Sequence, residues 1–520
     1  MSEPYYITTA ISYPNGAPHI GHAYEAIAAD AIARFQKARG RDVRFQTGTD
    51  EHGLKMAQAA RAEGTDPAIY AENMSVKFKA MCETLDVNYD RFIRTSEPDH
   101  HRASQAIWQA MEANGDLYLG RYEGWYSVRD EAFYEESELT EGEGGKLSPQ
   151  GTPVDWTVEE SWFFKLSAYQ QRLLDHYAAH PGFIQPDSRR NEVLRFVEGG
   201  LNDLSISRTS FDWGIKVPGG DGAHVMYVWL DALTNYLTGL GYPDGGELFD
   251  RYWPADVHLI GKDVVRFHAV YWPAFLMSAK IALPKQIYGH GFLLSRGEKM
   301  SKSVGNVVDP LDLAARYGVD ALRYFLLREV TFGQDGTFSA EAIVTRCNAE
   351  LSNSFGNLAQ RVLSFIAKNV PENLSFNEPL TDADTSLWLE VSRYMIALER
   401  EFQGLAFSQG IDAWMRAVFA CNQYIDAQAP WTLRKTDPER MKAVLATLVN
   451  CLRILAIAIR PVVPSSSDRV LDQIGVSADE SERNFQALED RYWHQRRQHV
   501  AAPPQPVFPR LELPVEDAVI

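Results

Sequence analysis

Apolar side chains crowd residues 5–11, YYITTAI, over the length of one strand, and SYPNGAP follows as a Pro/Gly-rich loop into HIGHAYEAIAADAIARFQKARG. In that segment Ile20, Ile27, Ala31 and Phe35 recur at helical spacing, Gly40 is placed to close the helix, and DVRFQTGTD supplies a second strand. A strand, helix, strand unit predicts a parallel sheet whose ligands lie beyond the carboxyl ends of its strands. The loop at 12–19 and Asp50 fall there.

From about residue 116 to 223, acidic and glycine-rich stretches such as YEESELTEGEGGKLSPQGTP mix with aromatics and break the periodicity, which predicts an inserted domain. The α/β pattern resumes with VMYVWLDALTNYL, the strand-like DVHLIGKD, a helix through His268, and IYGHGFLL before the polar loop SRGEKMSKSVGN. After about 345 long amphipathic helices take over, and NAELSNSFGNLAQRVLSFIAK sets Leu351, Phe355, Leu358, Val362 and Phe365 on one stripe. The expected class is α/β: a Rossmann-like parallel sheet in two halves, 1–115 and 224–290, interrupted by the insertion at 116–223. A polar-loop region at 291–345 and an all-α helix bundle over 346–520 follow. The end, APPQPVFPRLELP, is predicted to strap along the surface.

With 520 residues, 45% of them hydrophobic, the chain has material for about two to four domains. MSEPYYITTAI shows no basic segment followed by an apolar one, and no uninterrupted apolar run approaches a bilayer's thickness. The expectation is an unexported, cytoplasmic protein with no membrane contact. Cys82, Cys347, Cys421 and Cys451 stand far apart without a CxxC pair, which predicts reduced, buried thiols rather than disulfides or a zinc site. The net charge of −18 argues only weakly against a nucleic-acid partner. A few basic patches on a repulsive surface suffice to bind a polyanion selectively.

Two segments carry candidate chemistry. His19-Ile20-Gly21-His22 sets two imidazoles on the first helical turn, where backbone N–H groups favour anions. Lys299-Met300-Ser301-Lys302-Ser303, in a glycine-flanked loop, offers two ammonium groups and hydroxyls to a diphosphate. Alone, a two-histidine helix start is usually structural and a Lys/Ser loop usually solvated. Together, in this order and on two halves of an interrupted sheet, they resemble the paired ATP signatures of class I aminoacyl-tRNA synthetases. Further stretches, AISYPNGAPHIGHAYE, TGTDEHG, YVWLDALTNY, IGKDVVRFHAVYWPA and APWTL, are similar to the methionyl-tRNA synthetase family in particular, from residue 5 to about 510.

The resemblance implies a methionine–tRNA ligase that forms methionyl-adenylate and diphosphate from methionine and ATP, with Mg2+ beside the ATP, then esterifies tRNA at its terminal ribose. It assigns ATP to His19, Gly21, His22, Gly261, Asp263, Lys299, Met300, Ser301 and Lys302, with His19, His22, Lys299 and Lys302 stabilising the growing charge. It assigns methionine to Ile11, Tyr13, Asp50, Trp229, Ala232, Tyr236, Val264 and His268. That set suits a thioether, which is polarisable and lacks a strong donor, so that aromatic contact plus one weak polar partner must recognise it. Read without the resemblance, Trp229 and Tyr236 are core aromatics, His268 a satisfied buried imidazole, Asp50 a helix cap and Gly261 a turn.

In the helical region Asn353, Asn357 and Arg361 stand at intervals of four, a polar line beside the apolar stripe. The resemblance makes Asn357, Arg361 and Trp431 readers of the CAU anticodon of tRNA(Met), 346–520 the anticodon-binding domain, 116–223 the connective domain on the acceptor-stem side, and 291–345 a stem-contact region. Without it, these are a solvated helix face and a core tryptophan.

Two departures stand out. Relatives carry cysteine pairs for zinc knuckles where this chain has Ser127, Asp130 and, near the second pair, Ser148, so no structural zinc is expected and the hairpin should be held by packing instead. The chain also ends soon after VFPRLELP, which leads to the expectation of a monomer. Enzymes for isoleucine, valine or leucine share the ATP signatures but carry a much larger insertion. A cysteine-specific enzyme would grip its thiol with zinc. A non-catalytic tRNA-binding scaffold is disfavoured by two intact signatures.

Overall fold

Six parallel strands make the central sheet, in the spatial order Arg91–Arg94, Asp42–Thr49, Pro4–Thr9, Val257–Gly261, Ile287–His290, Ile184–Gln185. The computed structural model describes residues 2–130, 132–142, 144–220, 222–295, 298–299, 308–370, 374, 380–489 and 504–513. Chain order runs outward from the paired Pro4–Thr9 and Val257–Gly261 strands on both sides, the edge strand Ile184–Gln185 excepted, so a switch point lies between them. The inner strands are buried on both faces, which explains why their sequences read as near-continuous apolar runs rather than alternating ones. The sheet takes its edge strand Ile184–Gln185 from within the 116–223 stretch, so the insertion is not self-contained.

The Ile20–Ala38 helix lies against this sheet on a surface of small side chains, with Ala23, Ala26, Ala28, Ala29, Ala31 and Ala33 all buried. Asp30 is the charged exception on that face and is fully buried. Its carboxylate accepts from Arg34 Nε at 2.7 Å, Asn88 N at 2.9 Å and Arg323 Nη2 at 2.6 Å. Arg323, itself fully buried, spends its remaining donors on main-chain oxygens: Nε on Val462, Nη1 on Leu85 and Asp86, and Nη2 also on Pro461. One guanidinium thus ties the helix that follows the first sheet strand to the helical bundle.

In the insertion the long strands Leu117–Ser127 and Asp155–Phe164 pair antiparallel, flanked by Ala132–Tyr134 and Leu204–Ser205. At the hairpin tip Thr152 Oγ1 donates to Asp130 Oδ2 at 2.6 Å, Ser148 Oγ donates to the same oxygen at 2.6 Å, and Ser127 Oγ meets Thr152 Oγ1 at 2.6 Å. Tyr134 OH adds a bond to Asp130 Oδ2 at 3.0 Å. The tip is therefore held by a hydroxyl–carboxylate cluster, a hydrogen-bonded form of the packing expected in place of a metal. Three hydroxyls and a carboxylate already satisfying one another do not fit structural zinc, whose sites are built from thiolates and imidazoles.

The bundle is built on the helices Asp382–Gln403, Phe407–Gln428, Pro438–Ile459 and Pro464–Gln473. Pro438–Ile459 is long and apolar enough to cross a membrane, although charged residues interrupt its apolar run, but 89% of its most apolar window is buried. It is the core helix of the bundle. The four cysteines are buried thiols. The tail does strap across the surface: Gln505 and Leu511 exchange main-chain bonds with the side chains of Gln473 and Asn348, and Phe508 lies against Phe355.

Removing the buried guanidinium leaves Asp30 charged and four carbonyls without that donor. Arg323→Met is expected to cost about 3–5 kcal/mol, read as a fall in the first urea-unfolding transition. A loss below about 1 kcal/mol would show that the hub is dispensable.

Candidate active site

A cavity of about 730 Å3 opens at the carboxyl ends of the central strands. Into it face Ile11 and Tyr13 from the loop after Pro4–Thr9, Asp50 after Asp42–Thr49, Gly261, Asp263 and Val264 after Val257–Gly261, and His290 at the end of Ile287–His290. The Ile20–Ala38 helix brings His19, Gly21 and His22, and the Val228–Thr238 helix brings Trp229, Ala232 and Tyr236. His268 completes the wall. Every described residue assigned from the sequence to ATP or methionine, Lys299 excepted, lines this one space.

The two histidines of the first helical turn cap it reciprocally. His19 Nδ1 accepts from Gly21 N at 3.0 Å, and His22 Nδ1 accepts from His19 N at 3.1 Å. With Nδ1 an acceptor in each ring, the proton sits on Nε2, so each imidazole keeps one N–H donor. The rings stack with centroids 3.8 Å apart, and both residues line the cavity. A Cβ at position 21 would meet His19 Cε1 at 2.9 Å, so glycine here lets the His19 ring keep this position.

The opposite wall is aromatic and uncharged. Trp229 stacks flat on Phe267 with centroids 3.8 Å apart. The segment through His268 is a π-helical turn, Phe267–Tyr271, rather than the plain helix read from the sequence. His268 Nδ1 donates to Val264 O at 3.0 Å, so Nε2 is the acceptor for Tyr236 OH at 2.6 Å. Burial pushes His268 down to about 4, which keeps it neutral. The Tyr236 proton is thereby committed, and only lone pairs of that hydroxyl remain for a guest.

Asp50 is buried at its strand end, with its N–H bonded to Ser12 O. It does not cap the next helix, Leu54–Ala62, whose N-cap Gly53 makes no side-chain bond. At Gly261 a Cβ would meet Asp263 Oδ1 at 2.7 Å, so a side chain here would displace the Asp263 carboxylate.

Several lining residues were not picked out from the sequence. Glu25 stands three residues beyond His22 and so shares its helix face, a spacing that could have revealed it. Its carboxylate meets His290 Nε2 at 2.8 Å. Burial raises Glu25, and the Glu25 bond holds His290 above its ordinary value against burial, so a proton is retained on the pair. Lys55 lies over the Tyr13 ring at 5.0 Å. Arg129, Asp130 and Gln150 reach the cavity from the insertion hairpin. No local pattern announces these last three.

Lys299 belongs to the short strand Glu298–Lys299, in register with Leu294 beside cavity-lining Leu293. Met300, Ser301 and Lys302 lie outside the described residues. In the bundle, Arg361 and Trp431 come together, the guanidinium carbon 5.6 Å from the ring centroid, with Arg361 also donating to Asp426 at 2.6 Å. Trp431 is 44% exposed, not a core residue. Asn357 is exposed on the helix that carries Arg361, whereas Asn353 falls in the π-helical segment Asn348–Gly356, which breaks the assumed interval of four.

The family model "tRNA synthetases class I (M)" matches residues 5–363, and "Anticodon binding domain of methionyl tRNA ligase" matches residues 374–510. The chain is 54% identical to the methionine–tRNA ligase of Brucella suis, covering 98% of each chain, and 54% identical to that of Mycobacterium tuberculosis, covering 98% of this chain and 99% of the other. A solved structure of Mycobacterium tuberculosis methionyl-tRNA synthetase in complex with methionyl-adenylate matches with a TM-score of 0.94 at 54% identity, over 98% of this chain and 100% of that one. The free form of that enzyme matches with a TM-score of 0.89 at 50% identity, over 99% of each.

A histidine at about 4 when folded and 6.5 when unfolded binds its extra proton only in the unfolded chain between those values. Stability is therefore lost as pH falls from 6.5 to about 4, with a slope of up to about 1.4 kcal/mol per pH unit from this group. His268→Gln is expected to flatten the pH dependence of urea unfolding in that window, leaving the similar slope of depressed His258. Parallel curves for parent and variant would contradict the assignment.

Proposed function

The chain belongs to the methionine–tRNA ligase family of class I tRNA synthetases, and we propose that its cavity divides into a methionine end and a nucleotide end. The reaction is the ATP-dependent activation of L-methionine to methionyl-adenylate and diphosphate, then transfer of methionine to the 3′-terminal ribose of tRNA(Met), for use in translation initiation and elongation. In the first step a methionine carboxylate oxygen bonds to the α-phosphorus as the bond to the β-phosphate oxygen breaks. In the second, a ribose hydroxyl attacks the activated carbonyl and AMP leaves. The protein supplies position and charge stabilisation.

At the methionine end Asp50 receives the α-ammonium group. Ile11, Tyr13, Trp229, Ala232, Tyr236, Val264 and His268 enclose the side chain. The observation that carries this reading is the neutral Tyr236–His268 pair beside the Trp229–Phe267 stack, in one cavity with a buried carboxylate. Such a wall offers sulfur polarisable contact and presents no unpaired charge that an apolar thioether would leave unsolvated. At the nucleotide end the Nε2–H groups of His19 and His22 donate to phosphate oxygens, and Gly261 and Asp263 border the ribose. Lys299 and Lys302, with Met300 and Ser301, stabilise the charge growing on the departing diphosphate. Mg2+ accompanies ATP and offsets triphosphate charge.

In the bundle Asn357, Arg361 and Trp431 read the CAU anticodon. The pairing of a guanidinium with a half-exposed indole supports this, since unstacked bases are held on such surfaces. The reading extends to a monomeric, cytoplasmic enzyme.

Methionine-dependent exchange of labelled diphosphate into ATP tests the first step. Asp50→Asn should raise the methionine KM in that assay by about 10- to 100-fold, the cost of one charge-assisted bond. An unchanged KM would remove Asp50 from the site. Trp431→Ala should leave exchange near normal while slowing tRNA charging by about 5- to 150-fold, the worth of one stacked base. Equal damage to both steps would make Trp431 structural.

A further inference from the structure

Behind the methionine end lies a buried carboxylate that touches no cavity space. Asp231 sits on the Val228–Thr238 helix, whose other face carries Trp229, Ala232 and Tyr236. Successive positions turn by about 100°, so Asp231 points roughly opposite to Trp229. Its two oxygens are both taken: Oδ2 accepts from His52 Nδ1 and Oδ1 from His100 Nε2, each at 2.7 Å. All three side chains are nearly or fully buried. Burial alone would lift this carboxyl, yet the two imidazoles hold it well below the usual carboxylate range.

Each histidine leads to a different part of the site. His52 is two residues beyond Asp50, and the turn between them is fastened on its other side, where the His52 carbonyl accepts from Tyr13 OH at 2.9 Å and the Glu51 carbonyl from Trp213 Nε1 at 2.6 Å. His100 belongs to the Pro98–Ala113 helix and meets Thr238, about two helical turns along from Asp231, at 2.9 Å through Nδ1. The carboxylate thus joins the strand-end turn bearing Asp50 to the helix bearing the aromatic wall, and braces both against a third element.

We propose that Asp231 is a positioning residue for methionine: by clasping His52 and His100 it holds the Asp50 turn and the Val228–Thr238 helix as one body, so that the ammonium ligand and the side-chain wall keep a fixed separation. The proposal rests on the reading of Asp50 as the ammonium ligand. Methionine is short and must reach both at once, so a clasp of this kind acts on amino-acid affinity and leaves the nucleotide end, on the Ile20–Ala38 helix, untouched.

Asp231→Asn keeps the shape but replaces one acceptor oxygen with an N–H2 that faces an imidazole donor. In diphosphate exchange it should raise the methionine KM by about 10- to 100-fold, with the ATP KM held within about 3-fold. His100→Gln, which leaves the Asp231–His52 bond intact, should move the methionine KM in the same sense by a smaller factor, and it serves if Asp231→Asn fails to fold. Combined with Asp50→Asn, the effect of Asp231→Asn should be less than multiplicative, because the ammonium contact that the clasp positions is already lost. A methionine KM within 2-fold of the parent in both single variants, equal rises for methionine and ATP, or strictly multiplicative effects would overturn the proposal. If Asp50→Asn alone leaves the methionine KM unchanged, the underlying assignment of Asp50 has failed instead.

Discussion

A single buried ion pair sets the relation between chemistry and recognition in this molecule. Asp30 stands on the same helix as His19 and His22, and its partner Arg323 bonds the junction at Pro461 and Val462 inside the bundle. Neither charge reaches water: Asp30 draws on both Arg323 and Arg34, and the fully buried Arg323 draws on Asp30 for its opposite charge. The helix that begins at the nucleotide end is therefore registered against the bundle by geometry with little slack: all five guanidinium hydrogens have oxygen partners, and four of those oxygens are main-chain.

That constraint gives the cavity a firm floor, and the two ends of the cavity solve different electrostatic problems. The nucleotide end needs donors without fixed positive excess at rest, and stacked imidazoles with their protons on Nε2 meet the need. The methionine end needs a carboxylate near an uncharged wall, and His268 stays neutral because burial makes its charged form costly. The Asp231 clasp lies between sheet and helix, where a carboxylate can be kept ionised only because two imidazoles enclose it.

How much of this was legible in the sequence depends on how far the partners lie apart along the chain. Ile20, Ile27, Ala31 and Phe35 are buried as their spacing predicts, because helix burial repeats every few residues and is written locally. The strand-end positions of Asp50 and Gly261 were readable for the same reason, since parallel sheets direct their strand ends to one side. Arg323 was not, because four of its acceptors are backbone carbonyls, which carry no residue identity. The His52–Asp231–His100 clasp joins residues more than a hundred positions apart, and the hairpin tip that brings Arg129 to the cavity depends on four side chains meeting across a turn. The π-helical turns at Phe267–Tyr271 and Asn348–Gly356 were missed because apolar spacing does not record which carbonyl each N–H selects.

The hydroxyl cluster at Ser127, Asp130, Ser148 and Thr152 changes what the insertion can be harmed by. A thiolate clamp comes apart when chelators strip its ion or peroxide converts its sulfurs to oxyacids. Alcohols and a carboxylate offer neither a chelatable ion nor an oxidisable sulfur, so the contacts among these four side chains have neither route of failure.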